Sequence, residues 1–448
     1  MTMASVLSAV PFGPLVVRAS KHDLGSRLLS GALWSIAGNA LAQALGLFVG
    51  ITTARWLGRA EYGQLGIVLS TANLFAVVGG AGLGLTASKH IAEYRRTEPD
   101  RAGRIVGISA HTAVLSGAVA ALLMLALARW LSGSVLGSPS LARPLAISAG
   151  FLFFASVNGY QTGVLTGFEA FRTLAQATAI RGVAGFPFLV IGAVRFGLEG
   201  AVIANVLVAG INCVVHGILL NRQCRMHGIT VGYRPSASEL RLLYRFSLPV
   251  LVASLSYTPA VWISNAALAR KAGFADVGLF NAAMQWQNAV MFFANAVANL
   301  GLPMLSSVLA EKNSRLYRRV LGMNFLATSG LAVAAALPII LASPYVMRAY
   351  GSSFASGYMV LVVTTIATVV SALNIAVGQT IWSLNAPVAG MLLSLMRGGL
   401  LVGSSLALAR YGAIGIASAY LVTAVVQTLA QIPYIVYLLK RQARLWSA

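Results

Sequence analysis

Five uncharged amides fall along one apolar stretch of the chain: Asn281, Gln285, Asn288, Asn295 and Asn299. Wound as a helix at ~100° per residue, they occupy an arc of about 80°, with Phe292 in the same stripe. Amides supply donors and acceptors without fixed charge, which suits a ligand rich in hydroxyl groups. Two readings compete. The stripe either glues helices together, at ~0.6 kcal/mol for each membrane amide, or walls a wet cavity. Its length, about 27 Å at ~1.5 Å per residue, favours the cavity. Asn39 and Gln43 lie on one arc with Ser35, Gly46 and Gly50, while Thr258, Asn265 and Asn73 sit on comparable faces elsewhere. All are candidates for the same lining.

Arg181 and Arg397 also stand inside apolar stretches, 216 positions apart. A guanidinium at bilayer depth costs ~2.5–3.5 kcal/mol even on the lenient scale, unless it reaches water, a partner or an anion. Each binds carbonyls within its own half, snorkels toward an interface, or faces an anionic ligand, and a planar fork of donors suits phosphate oxygens. Arg55 with Arg270, and Arg104 with Arg319, form further pairs at a spacing of 215. These read as positional, or as additional stations for the same phosphate.

Helices in a bilayer must position these groups. The chain is 58% apolar and 9% charged, far below the ~25% charge of a soluble domain, and its mean hydropathy is +0.80. Stretches of about 20 apolar residues, long enough to cross a ~30 Å hydrocarbon core, recur throughout. The sequence predicts twelve, from 30–53 to 412–439. Arg55, Gly58, Ala60, Glu61 and Gly63 fall on Arg270, Gly273, Ala275, Asp276 and Gly278 at the 215-residue offset, and Gly197, Gly200 and Ala204 fall on Gly412, Gly415 and Ala419. The expected fold is therefore an all-α integral membrane protein, with about twelve transmembrane helices in two parallel-repeat six-helix lobes. The lobes are placed at 26–225 and 241–440, with a 226–240 linker and tails at 1–25 and 441–448.

Charge and the remaining reactive residues narrow the function. The net charge of +22 could suggest nucleic acid. With the N-terminus inside, however, about two thirds of the Lys and Arg residues fall on the cytoplasmic side, the positive-inside bias of a membrane protein with both termini cytoplasmic. No nucleic-acid partner is expected; membrane lipids are. All ten Asp and Glu residues lie in loops or at span ends, which leaves no carboxylate pair for catalysis and no metal or cofactor motif. His111 and His216 stand singly in spans and read as packing residues. Cys213 and Cys224, ~16 Å apart along a helix, are too distant to bridge. Pro249, Pro259 and Pro303 mark places where helices could bend.

Leu57-Gly58-Arg59-Ala60-Glu61-Tyr62-Gly63, Gly82-Leu83-Gly84-Leu85-Thr86-Ala87-Ser88, the basic loop to Arg104, and Phe246-Ser247-Leu248-Pro249 resemble the bacterial polysaccharide-transporter family of the multidrug/oligosaccharidyl-lipid/polysaccharide superfamily. The resemblance implies two six-helix lobes forming a V around a central cavity. It implies an inner-membrane flippase, not an enzyme, that moves a polyprenyl-diphosphate-linked oligosaccharide from the cytoplasmic to the periplasmic leaflet for O-antigen or exopolysaccharide synthesis, beside other polysaccharide-assembly proteins. No binding residue is carried over from the family. The alternative is a multidrug or cation antiporter of the same superfamily, which calls for an intramembrane carboxylate that this chain lacks.

Overall fold

The computed structural model describes residues 23–80, 82–232, 247, 251–252, 254–310, 314–383 and 387–447, and every regular element among them is helical. In chain order these are α1 Asp23–Gly80, α2 Leu83–Tyr94, α3 Pro99–Trp130, α4 Ala142–Gly167, α5 Phe171–Met226 and α6 Thr258–Ala272. There follow α7 Phe274–Ala310, α8 Ser314–Leu341, α9 Ser343–Ala349, α10 Tyr358–Ser383, α11 Pro387–Leu408 and α12 Gly412–Ser447. Seven helices among the described residues are long and apolar enough to cross a membrane. α10 coincides with the expected span at 358–383. The helical run expected at 64–88 is instead interrupted, with Gly82 at φ 69° between α1 and α2.

The longest helices are folded back on themselves. α5 has 56 residues, about 84 Å of helix at ~1.5 Å per residue and more than two bilayer crossings. It reverses at Gly197, whose φ of 57° and ψ of −140° break the helix in a region that costs glycine little. The two arms then run antiparallel. Near the open end Gln223 Nε2 donates to Thr173 Oγ1 at 3.3 Å; nearer the turn, a Cβ added to Gly185 would lie 3.0 Å from Val208.

α11 and α12 repeat this hairpin with the turn at Gly412, φ 71°, and Ser404 Oγ meets Thr423 Oγ1 at 3.4 Å across it.

The repeated acid of the 215-residue motif stands beside both turns. Asp276 Oδ1 accepts the Ala413 N–H at 2.9 Å, at the start of α12, and Glu61 Oε2 occupies the matching place, 3.2 Å from where a Cβ on Gly197 would stand. Asp276 thereby satisfies a free amide and complements the positive helix end. Asp276→Ala is expected to lower stability by about 1 kcal/mol, read as a lower thermal midpoint in detergent. An unchanged midpoint would remove the capping role.

Two compact units divide the chain: Ser30–Arg270, and Met1–Leu29 with Lys271–Ala448. Both pack small residues inside and turn large apolar ones outward, as helices in lipid do. In the first unit, α2 and α4 touch backbone to backbone at Gly84 and Gly163. Ala87, Ile91, Ile105, Leu165 and Phe168 form a core beside them, and Arg95 pairs with Glu169 at 2.5 Å. Trp262 Nε1 donates to Thr71 Oγ1 at 2.9 Å, tying α6 to α1. In the second unit, Val290, Ala294, Ala332, Ala336 and Ala372 hold α7, α8 and α10 together. Leu115, Leu122 and Leu326 are 69%, 65% and 75% exposed, a surface that requires lipid.

Of the three expected bend sites, Pro249 lies outside the described residues. Pro259 is the second residue of α6, where a missing N–H costs no helical hydrogen bond; the helix breaks just before it, at Ser256 and Tyr257. Pro303 lies within α7.

Candidate functional site

Asn158 on α4 organises the polar interior of the first unit. Its Nδ2 donates to the Ala209 carbonyl at 3.1 Å, and its Oδ1 accepts Asn212 Nδ2 at 3.1 Å, both on the second arm of α5. The second unit repeats the device. Asn374 Nδ2 donates to the Ala424 carbonyl at 3.1 Å, and its Oδ1 accepts the Thr428 hydroxyl at 3.0 Å. Since a carbonyl only accepts, Asn158 is fixed in orientation, and so is Asn212. Asn212 Oδ1 is thereby left as an acceptor with no partner among the described residues, on a side chain only 7% exposed. A buried, unsatisfied acceptor is costly unless something donates to it.

Asn212 borders two cavities. One, of about 370 Å³, lies between α1, α4 and both arms of α5, with Gly46, Asn158, Arg181, Asn205 and Asn212 among its walls. The other, of about 390 Å³, is bordered by Thr162, Thr166, Thr178, Arg181, Asn212 and His216. Arg181 therefore stands where both meet. It is exposed, and among the described residues it is the only charged one in either wall. It makes no hydrogen bond or ion pair among the described residues. A guanidinium ringed by neutral amides and hydroxyls can hold an oxyanion and, beside it, groups that donate and accept hydrogen bonds.

The other expected residues distribute differently. The Tyr350 hydroxyl donates to Gln285 Oε1 at 2.8 Å and accepts from Trp286 Nε1 at 3.1 Å. Tyr350 is fully buried, so this member of the stripe joins helices within its own unit. Asn281 is half-buried, with Nδ2 unpartnered among the described residues. Asn288 and Asn295 are exposed, as is Asn73. Gln43 and Thr258 are half-buried, and Asn265 is 6% exposed with an unpartnered Oδ1. The side chains of Asn39 and Asn299 lie outside the described residues. Arg55, three residues before the break of α1 at Gly58 (φ 71°), and Arg270, near the end of α6, are both exposed, and Arg397 is half-buried on α11.

Asn205, Asn212, Thr178 and His216 were not singled out as site residues from sequence. A signal existed: Asn205, Asn212 and His216 are seven and four positions apart, close to whole helical turns. A lone histidine in an apolar span reads as a packing residue, and His216 Nδ1 does bond the Asn212 carbonyl at 2.9 Å. The ring also borders the second cavity.

Among the described residues no cluster of three metal-ligating side chains occurs. A search of curated proteins returns no match. Solved structures do match in fold. An inward-facing multidrug resistance MATE family transporter of the MOP superfamily aligns with a TM-score of 0.75 and 17% identity, covering 91% of this chain and 99% of that one. The lipid II flippase MurJ, in an inward closed conformation, aligns with a TM-score of 0.72 and 13% identity, over 92% and 90%. A MOP superfamily transporter from Pyrococcus furiosus aligns with a TM-score of 0.66 and 16% identity, over 98% and 99%. These structures are transporters rather than enzymes. The sequence family described as polysaccharide biosynthesis protein matches residues 28–309, more than half the chain. With its long apolar helices and this fold, the chain belongs to the polysaccharide biosynthesis protein family as a multi-pass membrane protein.

Proposed function

We propose that this protein is a flippase that moves a polyprenyl-diphosphate-linked oligosaccharide from the cytoplasmic to the periplasmic leaflet of a bacterial inner membrane. In this reading twelve spans in two parallel six-helix lobes alternate access to the substrate, and both termini are cytoplasmic. The observation that carries it is Arg181, a guanidinium without a hydrogen-bond or ion-pair partner among the described residues, between two cavities lined by neutral amides and hydroxyls. Such a wall matches a headgroup that joins phosphate to sugar. Membership of a polysaccharide biosynthesis family supports the same substrate class, and one protein of similar fold is a lipid II flippase. Asn288, Asn295 and Asn73, exposed on their helices, are candidates for the glycan path, and Arg397 for a second phosphate contact.

A multidrug antiporter is the second reading, favoured by the fold of the MATE transporters. The two separate in one assay. Vesicles containing the purified protein and a fluorescent polyprenyl-diphosphoryl oligosaccharide should expose the glycan to an impermeant lectin at the opposite leaflet, while cationic dyes stay put. Dye movement without glycan movement would overturn the flippase.

A further inference from the structure

We infer that the Arg181 cavity is a proton-linked anion site, in which His216 takes up a proton from solvent as a phosphate group enters beside Arg181. This rests on the phosphate contact proposed above and adds a second partner, the imidazole, with a defined change of state. His216 is 6% exposed. Its Nδ1 lies 2.9 Å from the Asn212 carbonyl, which can only accept, so Nδ1 carries the hydrogen and a neutral ring leaves Nε2 bare. Nε2 has no hydrogen-bond partner among the described residues. The ring borders the second cavity, faced by Gly38 from α1, Thr162 and Thr166 from α4, and Thr178 and Arg181 from the first arm of α5. Arg181 is the sole charge in that set; Cys213, three positions earlier on the same arm, is the other titratable group close to the ring.

In an empty cavity a protonated imidazole would add a second positive charge close to the guanidinium, in surroundings where such charges repel strongly. An oxyanion between them reverses the sign, because each cation then faces a negative oxygen. Binding of the anion and binding of the proton must therefore favour one another, by the same factor in each direction. Asn212 Oδ1, locked as an acceptor and buried without a partner among the described residues, completes the description of the ligand. It calls for a donor next to the oxyanion, as in a sugar hydroxyl beside a phosphate. The class is a glycosyl phosphate group.

The sign follows from linkage. Affinity is highest at pH values where His216 is already protonated in the empty protein. It falls as pH rises, by up to about tenfold per pH unit, until the ring is neutral in the bound protein too. Sulfate is the probe, a tetrahedral divalent anion that does not titrate near neutral pH, so every proton counted belongs to the protein. Calorimetry of sulfate binding to the full-length protein in nanodiscs, in buffers of different ionisation heat, should show uptake approaching one proton per anion. His216→Gln should bind sulfate with no proton uptake and no pH slope. Uptake retained in that variant, or a flat profile in the wild type should the variant not fold, would overturn the proton linkage and leave the anion site standing. Sulfate binding unchanged by Arg181→Gln, or absent from the wild type, would overturn the anion site itself. A short-chain polyprenyl-diphosphoryl sugar should displace sulfate; failure to do so would assign the site to a free oxyanion, sinking the lipid-headgroup contact while sparing the linkage.

Discussion

Arg181→Gln is expected to reduce glycan export by about 10- to 100-fold while the protein still accumulates in the membrane. The size follows from a charge-assisted hydrogen bond to an ionised group, about 1.5–3 kcal/mol. Accumulation is expected because the guanidinium has no hydrogen-bond or ion-pair partner among the described residues and lines cavities instead of a packed core. Lysine should restore export only in part, since it keeps the charge but loses the planar fork. Export and membrane abundance are measured in the same cells. Full export by Arg181→Gln would exclude this cavity from the substrate path and leave Arg397 and the pairs Arg55 with Arg270 and Arg104 with Arg319 as the remaining cationic candidates. Loss of the protein along with export would instead make Arg181 structural.

The largest effect on stability is expected at Gly163. A Cβ there would fall on the backbone of Gly84, within 2.6 Å of its carbonyl carbon, and a backbone cannot swing aside as a flexible side chain can. Gly163→Val should therefore force α2 and α4 apart at a cost of about 3 kcal/mol or more, leaving little monodisperse protein after extraction. Gly159 lies one turn earlier on the same helix and opens onto free space. Gly159→Ala should extract and melt like the wild type. Equal yields of the two variants would show that the helices tolerate separation and that their close approach is not a stability determinant.

Composition and periodicity alone determined the solvent, the helical class, the place of spans such as Tyr358–Ser383 and the internal repeat. The reason is that bilayer crossing is a local requirement: about 20 consecutive apolar residues satisfy it whatever surrounds them. The repeat was legible because matching turns need matching residues, as Gly197 and Gly412 do where φ is positive. Periodicity could show that Asn281, Gln285, Asn288, Asn295 and Asn299 share a face, but not what that face meets. Only the tertiary structure binds Gln285 to buried Tyr350 and leaves Asn288 and Asn295 exposed. Arg181 shows the same limit. Its depth in an apolar stretch marked it as needing a partner or water, yet its neighbours come from α1, α4 and the returning arm of α5. Their convergence depends on hairpin reversal and helix rotation, which arise from packing between segments distant in sequence, and that is why the cavity with Asn158, Asn212 and His216 could be found only in three dimensions.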